Sequence, residues 1–448
     1  MMSDSAASNA NPKKSSIIDK LMAWLSRGVD FSKLDLNFTS HREHFIPIRY
    51  EVMLDKILER SSLSDQEKEE IRYLGLMLEE HYHLDYHQDF LKLKDAFAPF
   101  NPDKETVYEL TFTEEDKTQK RQVLIDGIRK FLEVSNYRLM SQEDFNKCLT
   151  LQPFGGLSVQ VDAKHFKEFH VFYRGVREVE VTDTYFWILK HKRKTLQFCR
   201  IFVLAEYKTN PTDEEVKEMK ARGEKPDFIP EEQAGSIIAK QFRDVPIEHL
   251  KIVAPEVKLL LPLFDKFKVG GTVFAGFATT VWKIITFILK MAFNTFMFLF
   301  FLFLIFLAFL KGIFGFFNSK NKCMKKFSES LYHKSLSNNV AAVNMLLDQA
   351  ETQEVKEALL AYYILYVHRD RLLTMKEMDD YAEAELMNAF NFDIDFEEDD
   401  ALRKLIEKQL VTVIPGETEE TTRYQILLPI KAALQQLDSI WDNYHTVE

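Results

Sequence analysis

The stretch from residue 269 to residue 317 constrains this chain more than any other. Met291 to Leu310 reads MAFNTFMFLFFLFLIFLAFL, twenty residues without a charge, and at about 1.5 Å per residue such a helix matches a hydrocarbon core about 30 Å thick. Gly271 to Leu289 (GTVFAGFATTVWKIITFIL) is also long enough to span, with Lys283 as its only charge. One unbroken helix from Gly271 to Gly315 would extend about 65–70 Å, so the chain is expected to turn back near Lys290 and Asn294.

The expectation is a transmembrane helical hairpin with spans from Thr272 to Leu289 and from Phe293 to Gly312. Lys266 and Lys268 precede it, and Lys311, Lys320, Lys322, Lys325 and Lys326 follow, which favours both ends on the inner side. Lys283 lies close enough to the bend to snorkel toward the interface. The turn KMAFN has neither Gly nor Pro, which leaves a single span from Met291, preceded by an interfacial helix, as the alternative.

With 448 residues, two or three folded units are expected. Residues 1–35 read as a polar tail followed by a short amphipathic helix, SIIDKLMAWLSRGVDF, without a secretory signal core. Residues 36–150 read as helical. Ser64 to Glu67 (SDQE) has capping-box spacing, and Ile71, Leu74, Leu78, Tyr82, Tyr86, Phe90, Leu93 and Phe97 form one apolar stripe that stops before Pro99. A second helix is expected over Asp116 to Val134.

Residues 151–268 read as β-rich, with SVQVD, EFHVFYRG, REVEVTD and LQFCRIFVLAEYK as antiparallel strands separated by polar breaks such as KHKRKT. Residues 209–234, charged and carrying three prolines, read as a surface excursion. IIAKQFRDVPIEHLKIV reads as a strand and then a short helix opened by Pro246. VKLLLPLFDKFK is expected to lead into the bilayer.

Residues 318–448 read as an acidic helical, winged-helix-like domain. From Ala341 onward there are twenty-three acidic and nine basic residues, a net charge of −14. Helices over Glu351 to Val367, Met375 to Ala389 and Asp399 to Lys408, then strand-like LVTVI and RYQILL, follow the winged-helix order. The third helix is not basic, whereas phosphate backbones attract the opposite sign, so nucleic acid is not expected as a partner. The acidic run FDIDFEEDD lacks the Gly and final Glu of a calcium loop and reads as a helix N-terminus. The fold class expected overall is an α+β membrane protein.

Candidate chemistry is sparse. Glu79, His83 and His87 would line one edge of a helix at four-residue steps, a spacing able to hold a divalent metal, although His beside Glu and Asp is more often a solvated or hydrogen-bonded helix-face residue. His41 and His44 could add to such a site only if the fold brings them near. Arg174 in FYRGV is expected to pair an acidic neighbour, with Gly175 marking a turn or bulge. Cys148, Cys199 and Cys323 form no paired-thiol motif and fit a reducing compartment. No phosphate loop, nucleotide glycine fingerprint or nucleophile elbow occurs, and no cofactor is expected.

REHFIPIRY (Arg42 to Tyr50), FHVFYRGVREVEV (Phe169 to Val181), KQFRDVPIEHLKIVAP (Lys240 to Pro255) and Ser330 to Leu365 (SLYHKSLSNNVAAVNMLLDQAETQEVKEALLAYYIL), in that order, resemble the transmembrane protein 143-like family, or domain of unknown function 3754. The resemblance runs from about Arg42 onward. It implies a paired-helix membrane segment after the VAP block, and a mitochondrial, plastid or bacterial membrane location, and it brings no enzymatic residues. With no basic presequence at the start, a bacterial inner membrane is the location expected, with a mitochondrial or plastid membrane as the alternative. The function expected is a membrane-anchored scaffold or protein-interaction module at the cytoplasmic face, with the lipid bilayer and other proteins as partners and room for a homo-oligomer. A membrane-bound enzyme or metal-dependent factor using the β-rich region is the alternative.

Overall fold

A computed structural model of the chain describes residues 42–103, 112–150, 158–161, 164–185, 189–223, 225–226, 228–253, 257–260 and 332–444, with isolated positions between 282 and 329. The N-terminal part opens with α1 (Tyr50–Arg60) and the 33-residue α2 (Asp65–Phe97). The SDQE signal forms the capping box it implies: the Ser64 hydroxyl accepts from the Glu67 amide, and Glu67 Oε2 accepts from the Ser64 amide at 2.9 Å. α3 (Glu114–Val134) starts the same way from Thr113 and Asp116. These reciprocal bonds satisfy donors that a helix start otherwise leaves orphaned.

A five-stranded antiparallel sheet follows, in the order β1 (Arg138–Leu139), β3 (Phe166–Tyr185), β4 (Leu189–Tyr207), β5 (Ile237–Pro246) and β7 (Ser335–Asn338). Short helix α4 (Gln142–Thr150) follows β1, and β2 (Ser158–Val161) pairs separately with β6 (Val257–Leu260). β6 is thus a strand where an amphipathic lead-in to a bilayer was expected. The expected break KHKRKT is strand: β3 and β4 form one long ribbon paired from Phe166↔Tyr207 to Tyr185↔Leu189. KHKRKT pairs with residues 179–184, and at its end Lys194 stands opposite Glu180 with its Nζ on Glu178 Oε1 at 2.5 Å. α5 (Asp213–Ala221) interrupts the expected surface excursion; its capping box, Thr212 with Glu215, is the local signal for it, and it buries no residue. After β5 come a 3₁₀ turn and α6 (Leu250–Val253).

The C-terminal part consists of α7 (Asn339–Val367), β8 (Leu373–Thr374), α8 (Met375–Phe390), α9 (Glu398–Glu407), β9 (Val411–Ile414), β10 (Arg423–Ile426) and α10 (Ile430–Asp442). The chain order is thus helix, strand, helix, helix, strand, strand, helix, and the three strands form a sheet in the order β8-β10-β9. Helices α2 and α7 run through two cores. Ile71, Leu74 and Leu78 of α2 meet Leu359 and Tyr362 of α7 beneath α8, α9 and α10, while Leu93 and Phe97 join Val343 and Leu346 over the sheet residues Phe172, Phe202 and Ala239. Burying about 1.5–3 kcal/mol per large apolar side chain, these shared helices tie the sheet to the C-terminal bundle.

The expectation of an α+β membrane protein is corrected. Among the described residues no helix is long and apolar enough to cross a membrane, and the fold is a mixed α/β arrangement around an antiparallel sheet. The longest helices, α2 and α7, have the length but bear charges along their course and bury their apolar side chains against protein. The multi-pass location, in a bacterial inner membrane or in a mitochondrial or plastid one, falls with it. The expected spans, Thr272 to Leu289 and Phe293 to Gly312, lie outside the described residues apart from isolated positions such as Trp282, Phe303 and Phe306, which are exposed. Length and apolarity were the grounds for expecting them, and neither specifies a fold.

Candidate functional site

The chemically richest interior lies where α7 carries QEVKE in its middle. Gln353, Glu354, Lys356 and Glu357 are at most 4% exposed. Such residues remain in a core only when their charges and hydrogen-bonding groups are matched. Lys404 of α9 supplies the match: its ammonium contacts Glu354, Asp400 and Glu357, the last at 3.2 Å. Burial works against the charge on Lys404, but the three carboxylates more than offset it and raise its pKa. Burial pushes the Glu357 carboxyl up to about 7 despite Lys404, and Glu354 also rises. Gln353 Nε2 donates to Glu357 Oε1 at 2.7 Å.

Lys356 points the other way, toward the segment that enters from Arg42. Its Nζ donates to the Ile46 carbonyl at 2.8 Å and lies 4.8 Å from the centre of the Phe45 ring. Burial, helped by Arg174, lowers its pKa to about 7. Arg174 of β3, 3% exposed, lies 3.7 Å from the Phe45 ring and 4.7 Å from that of Tyr137, and donates to the Ser135 carbonyl at 2.8 Å and to Gln349 Oε1 at 3.3 Å. This corrects the expectation that Arg174 pairs an acid: among the described residues no carboxylate is within ion-pair reach of it. The nearby acid, Glu43, instead accepts from the Gly175 and Val176 amides at 3.2 and 2.9 Å. Gly175 permits this with φ +68°, kinking β3 within its run rather than ending it.

A test of the Glu357 environment follows from its pKa. Between its ordinary value of 4.5 and the folded value of about 7, the folded chain keeps a proton that the unfolded chain has released, so this group's contribution to stability falls as pH rises through that window. Glu357→Gln is expected to flatten that dependence and to gain on wild type by about 1–3 kcal/mol between pH 4.5 and 7, read from urea midpoints. Lys356 acts in the other window: its lowered pKa makes stability rise from about pH 7 toward 10.5.

On the surface above this seam, carboxylates crowd. Arg42 pairs with Glu383 and Asp393 at 2.9 Å each, and His44 lies 3.6 Å from Asp395 and 3.4 Å from Glu397. Desolvation, together with Glu398, Glu383, Asp380 and Asp395, pushes the Asp379 carboxyl up to about 7. The last three acids of FDIDFEEDD, Glu398, Asp399 and Asp400, fill the first turn of α9, where the helix dipole favours them.

The expected metal residues do not converge. Glu79 accepts from the Tyr50 hydroxyl at 2.6 Å, His83 Nδ1 lies 3.2 Å from Glu351, and His87 stacks on His83. His81 is buried with Nε2 2.9 Å from the Leu437 carbonyl, and His41 lies outside the described residues. Among the described residues no group of three or more His, Cys, Asp or Glu is placed to hold a metal ion. Cys148 and Cys199 are free thiols, and burial pushes Cys148 up to about 12, away from reactivity.

An open cleft of about 480 Å³ lies between the start of α2 and the turn into α10. Its charged rim is already matched, with Arg369 on Glu67 at 3.0 Å and Lys431 on Glu70 at 3.7 Å. The QEVKE seam escaped sequence reading because its partners, Phe45, Arg174 and Lys404, are far from it in the chain; the one local signal was charge inside an otherwise apolar helix.

No solved structure matches the chain. Residues 166–341, from the start of β3 into the first turn of α7, match the family described as protein of unknown function (DUF3754).

Proposed function

We propose that this chain is a non-enzymatic interaction or scaffold protein, which offers the acidic face built by α8 and α9 to basic protein partners. The observation that carries the reading is the excess of carboxylates on that face: among the described residues Arg42 and His44 alone form ion pairs with the group Asp379, Asp380, Glu383, Asp393, Asp395 and Glu398, and burial, reinforced by the neighbouring acids, lifts Asp379 to about 7. A cationic partner relieves that repulsion and gains long-range steering from it.

The charge of α9 supports protein contact over nucleic acid. A winged-helix reader needs cations on its third helix, but α9 has Lys404 occupied inside and Arg403 paired with Asp400. The order of the four sequence blocks supports the finer placement with the transmembrane protein 143-like group, which is part of this proposal; a membrane anchor is not.

The test is partner capture on the full chain by crosslinking and mass spectrometry, followed by affinity measurement with the captured protein. Asp380→Lys combined with Asp399→Lys, both exposed in the structure, is expected to weaken the interaction roughly tenfold or more and to reduce its salt dependence. Affinity unchanged by the reversal, or tight binding to duplex DNA, would overturn the reading.

A further inference from the structure

Three arginines stand in register across the central strands. Arg174 of β3 pairs with Arg200 of β4, and Arg200 pairs with Arg243 of β5. Directly opposed residues of an antiparallel pair project to the same face, where like charges repel. A sheet tolerates such a row when something negative lies against it.

Among the described residues no carboxylate hydrogen-bonds or ion-pairs with the row. The row's acceptors among the described residues are neutral: Ser135 O and Gln349 Oε1 for Arg174, Cys199 O at 3.0 Å for Arg200, and His333 O at 3.4 Å for Arg243. The neighbouring acids are engaged elsewhere. Glu43 is held by the Gly175 and Val176 amides, and Asp244 pairs with Arg177 at 2.7 Å. More cations flank the row: Lys356 is close enough to Arg174 to be depressed by it, and Lys334 donates to the Asp244 carbonyl at 2.7 Å.

A second observation points the same way. Arg174 Nε, Arg200 Nε and Gln241 Nε2 are buried donors that find no acceptor among the described residues. Gln241 stands two residues before Arg243 on β5, and its other amide atom, Oε1, accepts from Gln349 at 3.3 Å. An unmet buried donor costs about 1–3 kcal/mol, and more when charged. Excess positive charge together with unmet N–H groups is the chemistry of an oxyanion site, for which the guanidinium fork is well shaped.

We propose that Arg174, Arg200, Arg243 and Gln241 form a binding site for a phosphate group, free or carried on a small molecule. Arg174, fixed between Phe45 and Tyr137, is the back wall. Arg200 is half-buried and Arg243 is exposed, so the ligand enters from the β5 side. Two strand spacings separate the outer arginines, about 10 Å, which suits a diphosphate better than a single phosphate. The site goes beyond the acidic-face reading and uses none of its residues, so either can fail alone.

Calorimetric titration of the full chain at constant ionic strength with sodium phosphate and with sodium pyrophosphate tests it. One saturable site per chain is expected, with Kd of about 1 mM or tighter and pyrophosphate the stronger ligand. Arg200→Gln is expected to weaken binding roughly tenfold or more, and the exposed Arg243→Gln several-fold with an unchanged melting temperature. Arg177→Gln, outside the row, is expected to stay within about twofold of wild type. If Arg200→Gln does not fold, Arg243→Gln decides. No saturable uptake at about 10 mM of either anion, or wild-type affinity in Arg243→Gln, overturns the proposal.

Discussion

Lys404→Met is expected to destabilise the folded chain by about 3–5 kcal/mol near pH 8, because it leaves Glu354 and Glu357 in the interior without their counter-charge and takes from Asp400 one of its two cationic partners. Glu354, Glu357 and Asp400 all contact this one ammonium. Methionine fills much of the same volume, so the loss reports electrostatics more than packing. The pH dependence makes the test specific. Glu357 already takes up a proton near pH 7 with Lys404 present, and without the lysine it holds that proton to higher pH. At pH 5 Glu357 is neutral in the variant and the deficit shrinks. Urea titrations at pH 5 and 8 check this; an equal deficit at both would mean that side-chain packing, not charge, is what Lys404 contributes.

Gly175→Val carries the second large effect, about 3 kcal/mol or more. The left-handed conformation, with φ +68°, costs an L-residue about 1–2 kcal/mol before any clash. A Cβ there would also lie 2.9 Å from Cys199 Cβ and 3.0 Å from its Sγ, with the β4 backbone behind them. Overpacking of this kind adds about 1–3 kcal/mol. Relaxing the kink would turn the Gly175 and Val176 amides away from Glu43. The expected result is a lower urea midpoint together with faster amide exchange at Val176; a midpoint equal to that of wild type would mean that the kink is not required.

What was legible in the sequence was local. The capping box at Ser64 and the stripe from Ile71 to Phe97 fixed α2 because both signals lie within the helix itself. The helix order of the C-terminal part was readable for the same reason, though β8, only two residues long, and α10 were not anticipated. Errors came where distant partners decide. KHKRKT has a polar composition typical of a loop, and only the acidic strand opposite makes it β-structure. QEVKE looks like a solvated helix face until Lys404 and the Ile46 carbonyl close over it. Arg174 was expected beside an acid, yet aromatic rings and carbonyl groups surround it. The apolar run after Val269 suggests a membrane fold, which no helix among the described residues bears out.

Hydrogen exchange on the full chain, free and bound to a partner captured by crosslinking, tests the central claim most directly. The account predicts that slowed exchange centres on α8 and the first turn of α9, around Asp380 and Asp399. Protection confined to the β3–β4 ribbon, with α8 and α9 exchanging as in the free chain, would contradict it.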